Sequence, residues 1–579
     1  MDGTVPVQAF LYFLNESMKK IRWQIFIVSL TLVIVGILLI RQQPNPVVIL
    51  PQPESGGVYI EGMVGELGRL NPLYDINNSV DRDIDRLIFS GIFTFDSHGL
   101  PQPDLAESWG VSLDGKIYNV TIRPNAVWHD GQPVTSDDFL FTLGLIQNKD
   151  SALPNDVRSM WEQVKVSALD QKTLRFELTE PFSPFLDYLT FGILPKHILG
   201  ALPADQIINA DFNIHPIGSG PYQFDSLKMD QNKIVSVALK VFPQYYGQKP
   251  YIEQIIFQFF STPSTVLDAY RQGEVNGISQ VSVDILDQSL KEKNLNLYTS
   301  RLPKISLILF NLKNSDVVFF QDKFFRQALM VGLNRQWIVD NVLKGQAIIA
   351  DSPILPGNWA YFDGIKKYGF DQADAKSMLT NAGYSLNPDG SGVRIKDNIP
   401  LSFTLVYPDD DLHASIARSI QNDWLNLGVK VELQAVSYDA LLNDYLSPRN
   451  YQAALIDQDF SFSHDPDPYP FWHQSEATGG QNYSQWDDRV ASEYIEQARV
   501  IVDNTFRAKL YRNFQILFAK ELPALPLYYP VFSFGVDSQV SGVQIPPLYE
   551  TSDRFNDIKD WYLITKHTIG NLPSETNQP

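Results

Sequence analysis

Residues Leu87 to Phe141 read LIFSGIFTFDSHGLPQPDLAESWGVSLDGKIYNVTIRPNAVWHDGQPVTSDDFLF, and they carry much of the information about the fold. Within them, Tyr118, Val120 and Ile122 alternate with polar neighbours, as the residues of a half-buried strand do. Thr135 to Asp138 has the spacing of a capping box ahead of an apolar run, which predicts that a helix begins there. Strands that alternate with helices indicate a mixed α/β structure.

A second α/β unit lies in the C-terminal half of the chain. The apolar residues of 416–427 fall on one face of a predicted helix, and Gly428 follows as its expected C-cap. Residues 429–433 then alternate as a strand does. Further amphipathic helices are predicted near Ala373 to Ala382 and near Phe506 to Ala519, and they have no predicted functional role.

Three more blocks follow the first one along the chain. They are PIGSGPYQF from Pro216, FFRQALMVGLNR from Phe324 and DPDPYPFWHQ from Asp465. Taken together in this order, the four blocks resemble the family 5 extracellular solute-binding proteins, the peptide/nickel class of ABC importer receptors. The resemblance covers roughly Val58 to Ile564, and it implies a ligand receptor and not a catalyst.

The resemblance implies an α/β protein with the type II periplasmic-binding-protein fold, in which two lobes flank a cleft and the first lobe carries an extra subdomain. Hinge crossings are expected near Thr299–Lys304 and Leu522–Tyr528. The expected parts are a cytoplasmic tail (1–22), a transmembrane signal anchor (23–40), a Pro-rich tether (41–57), lobe I (58–300, with the subdomain at about 100–204), lobe II (301–525), a return to lobe I (526–564) and a C-terminal tail (565–579).

The N-terminal region contains an uncharged apolar run, WQIFIVSLTLVIVGILLI, from Trp23 to Ile40. Eighteen helical residues span about 27 Å, which is close to the hydrocarbon thickness of a bilayer. Lys19, Lys20 and Arg22 precede the run, so the positive-inside rule places the N-terminus in the cytoplasm. An uncleaved single-pass anchor is favoured over a cleaved signal peptide, because no small-residue cleavage site follows closely.

The segment between the anchor and lobe I contains Pro44, Pro46, Pro51 and Pro53. Such a composition favours extended polyproline II structure, which acts as a semi-rigid spacer. The sequence therefore predicts a tether that holds an extracytoplasmic domain away from the membrane.

The composition excludes several classes of function. The chain has 579 residues, a formal net charge of −20 and no cysteine. An acidic surface repels phosphate backbones, so nucleic acid is not an expected partner, and the absence of cysteine excludes disulfides and thiol chemistry. The sequence contains no Walker A, GxSxG or HExxH motif, so we predict neither an enzyme nor a bound cofactor.

The loop from Asp457 to Trp486 is the richest candidate for ligand binding, since it combines acids with aromatic rings. In peptide-binding relatives, an aspartate of this region, three residues before an Asp/Glu-Pro pair, pairs with the ligand's α-amine. The residue at that position here is His464 if counted from Asp467 and Phe462 if counted from Asp465, so the match fails. Asp465, Asp467, Asp457 and Asp459 are therefore the alternative acids for that role. The candidate ligand residues of this loop are Asp465, Asp467, Trp472, His473, Asn482 and Tyr483.

Each of these residues also has another interpretation. The loop could brace lobe II, and Trp472 could be packing rather than contacting ligand. His464 and His473 lie near two aspartates, which would suit a metal ion, although turns built on Asp-Pro pairs are favoured. The pair Asp465 and Asp467 could also serve a glycosidase, an alternative that the resemblance disfavours.

A second candidate region is the turn from Gly218 to Tyr222, whose glycines permit close backbone approach. Gly218, Ser219, Gly220 and Tyr222 are candidate ligand contacts, with a purely structural turn as the alternative. Asn311 ends an apolar strand just after the first hinge, where backbone groups could meet a ligand.

The predicted function is that of a membrane-anchored receptor that holds a small solute or oligopeptide between its lobes and delivers it to separate permease and ATPase subunits of an ABC importer. The resemblance alone leaves the ligand open. The alternative is a sensory or scaffold protein that keeps the fold without serving transport.

Overall fold

A computed structural model describes residues 7–41, 47–153, 158–461 and 463–571. The chain divides into two compact units, one of which contains Ser55–Leu563 and the other the two chain ends, Met1–Glu54 and Ile564–Pro579.

The strands are β1 (Val47–Glu54), β2 (Val58–Val64), β3 (Phe93–Phe95), β4 (Pro101–Pro103), β5 (Ala106–Val111), β6 (Ile117–Ile122), β7 (Val164–Ala168), β8 (Thr173–Leu178), β9 (Tyr222–Asp230), β10 (Lys233–Val241), β11 (Gln254–Phe260), β12 (Gly277–Ile278), β13 (Leu295–Arg301), β14 (Lys304–Phe310), β15 (Ala347–Ile349), β16 (Ser385–Leu386), β17 (Arg394–Lys396), β18 (Ile399–Pro400), β19 (Ser402–Pro408), β20 (Lys430–Val436), β21 (Ala453–Asp459), β22 (Ala524–Asp537) and β23 (Ile564–Asn571).

The α-helices in the described ranges are α1 (Val7–Arg41), α2 (Ser79–Ile88), α3 (Ser136–Gln147), α4 (Lys196–Leu199), α5 (Ala204–Ile207), α6 (Pro263–Gln272), α7 (Val283–Ser289), α8 (Lys323–Val331), α9 (Arg335–Trp337), α10 (Gln372–Asn381), α11 (Asp411–Leu425), α12 (Tyr438–Ala440), α13 (Tyr469–Trp472), α14 (Arg489–Val500) and α15 (Asn504–Glu521).

The larger unit is organised around one sheet of twelve strands. Its main path runs β20-β19-β21-β14-β22-β12-β2-β11-β10-β9, and β13 and β15 also pair with β22. Parallel pairs, such as β2 with β11 and β19 with β20, alternate with antiparallel ones. The sheet is therefore mixed, as the alternating sequence pattern predicted.

The long strand β22 joins the two halves of this sheet. Residues 524–528 of β22 pair with β14, and residues 531–537 pair with β13. Earlier in the sequence, the chain passes from one half of the sheet to the other through the short link between β13, which ends at Arg301, and β14, which begins at Lys304. The predicted hinge near Thr299–Lys304 therefore lies at the two-residue connection between β13 and β14. The predicted hinge near Leu522–Tyr528 lies at the start of β22.

The hydrophobic cores are separate along the chain. The largest cluster of buried apolar residues draws on residues 59–257 and 532–561, whereas two others draw on residues 305–529. Trp128 and Trp561 are fully buried in the first, and Trp424 is fully buried in one of the others. Burial of such large apolar side chains is the main favourable term that holds each part together.

Several local predictions are confirmed. The capping box forms at Thr135, whose amide donates to Asp138 Oδ2 over 2.8 Å, and α3 begins at the next residue. The helix and strand predicted over 416–433 are α11 and β20, and Gly428 between them has a φ of +85°. The helices expected near residues 373–382 and 506–519 are α10 and α15.

The unit formed by the chain ends contains α1 and a two-stranded ribbon. Within the described residues, Ile21–Leu39 of α1 is the one helical segment long and apolar enough to cross a membrane. Strand β1 pairs antiparallel with β23 from Val47↔Asn571 to Glu54↔Ile564.

The expectation of polyproline II structure between the anchor and lobe I is therefore wrong for residues 47–54. A partner strand from the far end of the chain offers backbone hydrogen bonds that a single tether would lack. Pro51 and Pro53 are two residues apart, so their nitrogens point to the same side of β1. A ribbon of two strands leaves one edge of β1 unpaired, where prolines are tolerated.

Candidate functional site

A cavity of about 220 Å³ opens beside the C-terminal end of β21. One wall is apolar and comes from the helical segment after α12, which contributes Leu441, Leu442 and Leu446, and from Phe471 and Trp472 of α13. Polar residues also line the cavity. Those that end β21 are Asp457, Gln458 and Asp459.

The strand that borders this cavity has an unpaired side. Along one side, β21 pairs with β14 over its full length, from Lys304↔Asp459 to Phe310↔Ala453. Along the other side, it pairs with β19 only through Ala453 and Ala454. In the described ranges, residues 455–459 thus have no strand beside them on that side, so their outward backbone groups are available to an added strand.

Several buried polar atoms around the end of β21 lack a hydrogen-bond partner within the described part of the chain. They are Asp457 Oδ1, Gln458 Nε2 and Ser306 Oγ, whereas His413 Nε2 has a long contact of 3.5 Å with Asp457 Oδ2. Gln458 is only 8% exposed. A buried polar atom left without any partner costs about 1–3 kcal/mol, so these atoms require water or a bound molecule as partner.

His413 lies between two carboxylates at this end of the site. Its Nδ1 is 2.6 Å from Asp410 Oδ2, and its Nε2 is 3.5 Å from Asp457 Oδ2. Burial acts to lower the pKa of His413, but hydrogen bonding and charge from Asp457 and Asp410 outweigh it, so the pKa lies above its ordinary value. The second distance is at the long end for an ion pair, which leaves Asp457 open to a further partner.

Unlike Asp457, Asp459 forms an ion pair with a lysine. Lys304 Nζ lies 3.0 Å from Asp459 Oδ2, and both side chains are more than 40% exposed. A surface pair of this kind is weak and easily exchanged. Of the two carboxylates at the end of β21, one is therefore loosely compensated by a histidine and the other is shared with an exposed lysine.

Asp465 and Asp467, two predicted ligand residues, are each bound to an arginine of a later helix. Asp465 Oδ1 accepts a 2.7 Å hydrogen bond from Arg507, and both side chains are at most 6% exposed. Arg499 Nε lies 2.7 Å from Asp467 Oδ2. The structure thus supplies an internal cation for each acid, and their binding of a ligand stays a prediction.

Trp472 and Tyr483 are the predicted residues that the structure brings to the cavity. Trp472 is 2% exposed and packs edge-on against Phe518, with ring centroids 4.8 Å apart. Tyr483 is half-buried, and the Arg449 guanidinium lies 4.9 Å from its ring centroid. The ring is therefore core packing that also lines the cavity, and contact of Trp472 with a ligand stays a prediction.

His473 and Asn482 are buried and hydrogen-bonded inside the same loop. His473 Nε2 is 2.8 Å from Glu496 Oε1, and its ring stacks on Tyr469. Asn482 is fully buried and donates to the carbonyls of His473 and Trp486. These contacts hold the loop in one conformation, and neither residue is among those that line the cavity.

The predicted turn at Gly218 to Tyr222 packs against the end of α2. A Cβ on Gly218 would lie 1.9 Å from the carbonyl oxygen of Ile88, and the Gly220 amide donates to that oxygen over 2.8 Å. Ser219 is fully buried. Tyr222 is fully buried too, and its hydroxyl donates to a backbone carbonyl 2.9 Å away. The glycines are thus required by close packing, away from the cavity.

Asn311 is also part of the internal framework. It is 3% exposed, and its Nδ2 donates to the carbonyls of Arg449 and Tyr451. It joins the end of β14 to the segment that leads into β21, and it is not among the cavity residues. A ligand contact by Asn311 stays a prediction.

The two predicted lobes meet next to the loop that follows β21. Asp187, from the expected subdomain, accepts a 2.8 Å hydrogen bond from Ser463 Oγ and a 2.5 Å hydrogen bond from the Asp465 amide. Burial and the nearby charge of Asp465 raise the pKa of Asp187 to about 7. These bonds connect the two halves of the unit directly.

His464 stacks between two rings of the predicted lobe I. Its ring centroid is 3.5 Å from that of Phe95 and 4.1 Å from that of Tyr549. Burial lowers the pKa of His464 to about 3, so the ring is neutral. In the described ranges, no group of three or more potential ligands that could hold a metal ion is found, at His464 or elsewhere.

Sequence reasoning named the acids of β21 only as alternatives and missed His413, Gln458 and the wall at Tyr438–Leu446. The available signal was the apolar strand AALI, which ends directly in DQD. Polar residues that end a buried strand are frequent in binding sites, because they lie at the edge of the sheet.

Known proteins similar to this chain match over most of its length. The model for bacterial extracellular solute-binding proteins, family 5, matches residues 101–482. The oligopeptide-binding protein AppA of Bacillus subtilis (strain 168) is 28% identical over 519 residues, which is 88% of this chain and 92% of AppA.

Solved structures agree with this similarity. The structure of B. subtilis AppA in complex with a nonapeptide has a TM-score of 0.63 at 28% identity, and the match covers 89% of this chain and all of that one. The structure of NikZ from Campylobacter jejuni in complex with Ni(L-His) has a TM-score of 0.64 at 25% identity, covering 87% and 99%. The type II periplasmic-binding-protein fold is thus confirmed.

Proposed function

Because this chain belongs to the bacterial extracellular solute-binding proteins of family 5, which serve ABC transporters and are not an enzyme family, we propose that it captures oligopeptides outside the cytoplasm and delivers them to an ABC permease and its ATPase. The similar structure that contains a nonapeptide supports a peptide as the ligand. The observation that carries the proposal is the unpaired side of β21 next to a cavity with unpartnered polar atoms.

The unpaired residues 455–459 suit the backbone of an extended peptide. A peptide that adds as a strand bonds through main-chain groups, which gives affinity with little dependence on sequence. Gln458 Nε2 is a donor that lacks an acceptor, and Asp457 Oδ1 is an acceptor that lacks a donor. A peptide offers carbonyl groups to the first and an amine or amide N–H to the second.

The charge of the cavity favours a cationic group in the ligand. Asp465 and Asp467 are matched by Arg507 and Arg499, whereas the cation that pairs with Asp457 in the described part of the chain is the more distant His413. A hydrogen bond between an amine and a carboxylate is about twice as strong as one between neutral groups. We therefore assign the recognition of the peptide's α-amine to Asp457, with Asp459 next to it.

The apolar wall of the cavity suits one side chain of the peptide. Sites for drug-sized ligands hold roughly 300–1,000 Å³, so a cavity of about 220 Å³ accepts only part of a ligand. The remainder of the peptide would lie between the lobes, where Asp187 and the loop after β21 already meet. Closure of the lobes is favoured only as far as the ligand binds the closed state better than the open state.

The N-terminal helix is assigned as an uncleaved single-pass anchor with the receptor domain outside the cytoplasm. Its segment Ile21–Leu39 has the required length and apolar character. The basic residues Lys19, Lys20 and Arg22 lie on the N-terminal side, which the positive-inside rule places in the cytoplasm. An anchored receptor stays close to its permease.

Binding of defined ligand pools to the full-length protein in detergent tests the proposal. The ligands are an equimolar nonapeptide library with free amino termini, the same library N-acetylated, and nickel with L-histidine, each measured by calorimetry. We expect binding of the free library, weaker binding of the acetylated one, and a smaller difference between them in Asp457→Asn. Binding of the nickel complex alone, or of none of the three, would overturn the assignment of peptide as ligand.

The assignment of Asp457 has a matched control in the same loop. Asp467→Asn removes an acid of equal charge that is paired with Arg499 and does not line the cavity. We expect this variant to keep the preference for the free amine. If Asp467→Asn loses the preference and Asp457→Asn keeps it, the amine binds at the loop acids and not at β21.

A further inference from the structure

His413 is the one basic side chain that forms an ion pair with Asp457 in the described ranges. It lies in the first turn of α11, where its backbone amide donates to the N-cap residue Asp410 over 2.9 Å. Its side chain is 11% exposed, and its two ring nitrogens face two different carboxylates. One nitrogen is thus held by Asp410 while the other faces the acid that we assign to the ligand.

The groups around this pair come from four neighbouring segments. Asp410 and His413 belong to the start of α11, and Asp457 belongs to β21. Burial, together with the charges of Asp457 and Asp410, raises the pKa of Tyr528 of β22, so its hydroxyl stays protonated throughout the neutral range. Ser306 of β14, directly opposite Asp457, carries no charge. His413 is therefore the group of this set that titrates near neutral pH.

We propose that the protonation state of His413 sets how tightly Asp457 holds a cationic ligand group, so that the receptor binds a peptide amine more tightly when His413 is neutral than when it is charged. The proposal rests on the function assigned above and adds a regulation to the same site. His413 acts through Asp457 and is a positioning residue, which does not itself contact the ligand.

The direction follows from charge. A protonated His413 partly neutralises Asp457 and repels an incoming ammonium group, whereas a neutral ring does neither. Asp410 and Asp457 hold the pKa of His413 above its ordinary value of 6.5, so the change falls above that pH. Coupling is reciprocal, so a bound cation that lowers this pKa by about one unit corresponds to about a tenfold change in affinity.

Comparison of wild type with His413→Gln isolates this effect. Glutamine keeps the backbone amide that bonds to Asp410 and cannot become a cation. The free-amine nonapeptide library is titrated into the full-length protein in detergent between pH 6 and pH 9. Because the ligand amine titrates identically against both proteins, the ratio of their dissociation constants reports His413 alone.

We expect His413→Gln to bind the free-amine library about tenfold more tightly than wild type at pH 6 and equally tightly at pH 9. The N-acetylated library should show a ratio near one at every pH, because it brings no cation. A ratio for the free library that does not change with pH would overturn the proposal.

A measurement without ligand separates this inference from the assigned function. Protein labelled with ¹⁵N at histidine gives the pH titration of His413, identified as the signal absent from His413→Gln. We expect Asp457→Asn to shift this titration to lower pH, with Asp467→Asn as the unchanged control. An unshifted titration overturns the inference even if peptides bind, whereas a shift without any peptide binding overturns the assigned function alone.

Discussion

Replacement of Arg507 by methionine should unfold the receptor domain more easily, by an amount that follows from burial. Arg507 is 2% exposed and Asp465 6% exposed, so neither charge has water as an alternative partner. Breaking a buried ion pair by removing one member typically costs about 3–5 kcal/mol, since the other charge is left without compensation. We expect Arg507→Met to lower the free energy of unfolding by about that amount at pH 8.

The loss should depend on pH in a definite direction. Burial raises the pKa of Asp465 and the Arg507 charge lowers it, so removing Arg507 raises this pKa further. An acid whose pKa is raised in the folded state stabilises the fold below its unfolded pKa, and that stabilisation is lost as pH rises through the folded value. Arg507→Met should therefore approach wild type as pH falls toward about 4, the ordinary pKa of an aspartate.

Urea unfolding followed by tryptophan fluorescence at pH 8 and at pH 5 measures both effects. The double variant Asp465→Asn with Arg507→Met removes both charges, and its loss should be smaller than the sum of the two single losses. A loss below about 1 kcal/mol for Arg507→Met at pH 8, or additive losses in the double variant, would refute a buried and mutually dependent pair.

Three further outcomes are expected. Gly218→Ala should abolish stable folding, because the added Cβ would lie 1.9 Å from a carbonyl oxygen. Its control, Gly144→Ala, adds a Cβ in the open interior of α3 and should be neutral or stabilise the protein by up to about 1 kcal/mol. Thermal unfolding of the two variants tests both expectations. Tyr438→Ala, at a side chain 64% exposed on the cavity, should weaken peptide binding without a loss of stability, and Trp472→Ala should cost about 3–5 kcal/mol in urea unfolding. Intact mass spectrometry of the membrane-bound protein should show that the segment Ile21–Leu39 is retained, and a mass that lacks this segment would show cleavage.

The parts of the fold that depend on local chemistry could be predicted from the sequence. The capping box at Thr135 and the left-handed Gly428 are set by residues within a few positions, and both were placed correctly. The ribbon at residues 47–54 could not be predicted, since its partner strand lies about 500 residues away along the chain. Proline content predicts the conformation of a segment that has no neighbouring strand, and the neighbouring strand β23 is seen only in the structure.

Prediction of the candidate site from the sequence is limited for the same reason, because the partners of its charged residues are distant along the chain. The pattern DPDP indicated Asp465 and Asp467 as candidate ligand residues, but their partners Arg507 and Arg499 lie on helices 42 and 32 residues further on. No local rule indicates that these charges are already matched. The sequence pattern indicated Asp457 less clearly than the DPDP acids, although in the structure its cation partner is more distant. Whether a ligand can reach Asp457 depends on where β19 stops pairing with β21.

The unmatched groups at β21 also bear on how a receptor with this site could accept many peptides. Asp457 Oδ1 and Gln458 Nε2 have no hydrogen-bond partner among the described residues, and a buried polar atom left without any partner costs about 1–3 kcal/mol. A bound peptide would supply the missing hydrogen bonds through its backbone and its amine, which every peptide possesses. The apolar wall would contact only one side chain of the peptide. The affinity would then come mainly from groups common to all peptides, and selectivity from the cavity and from the charge on His413.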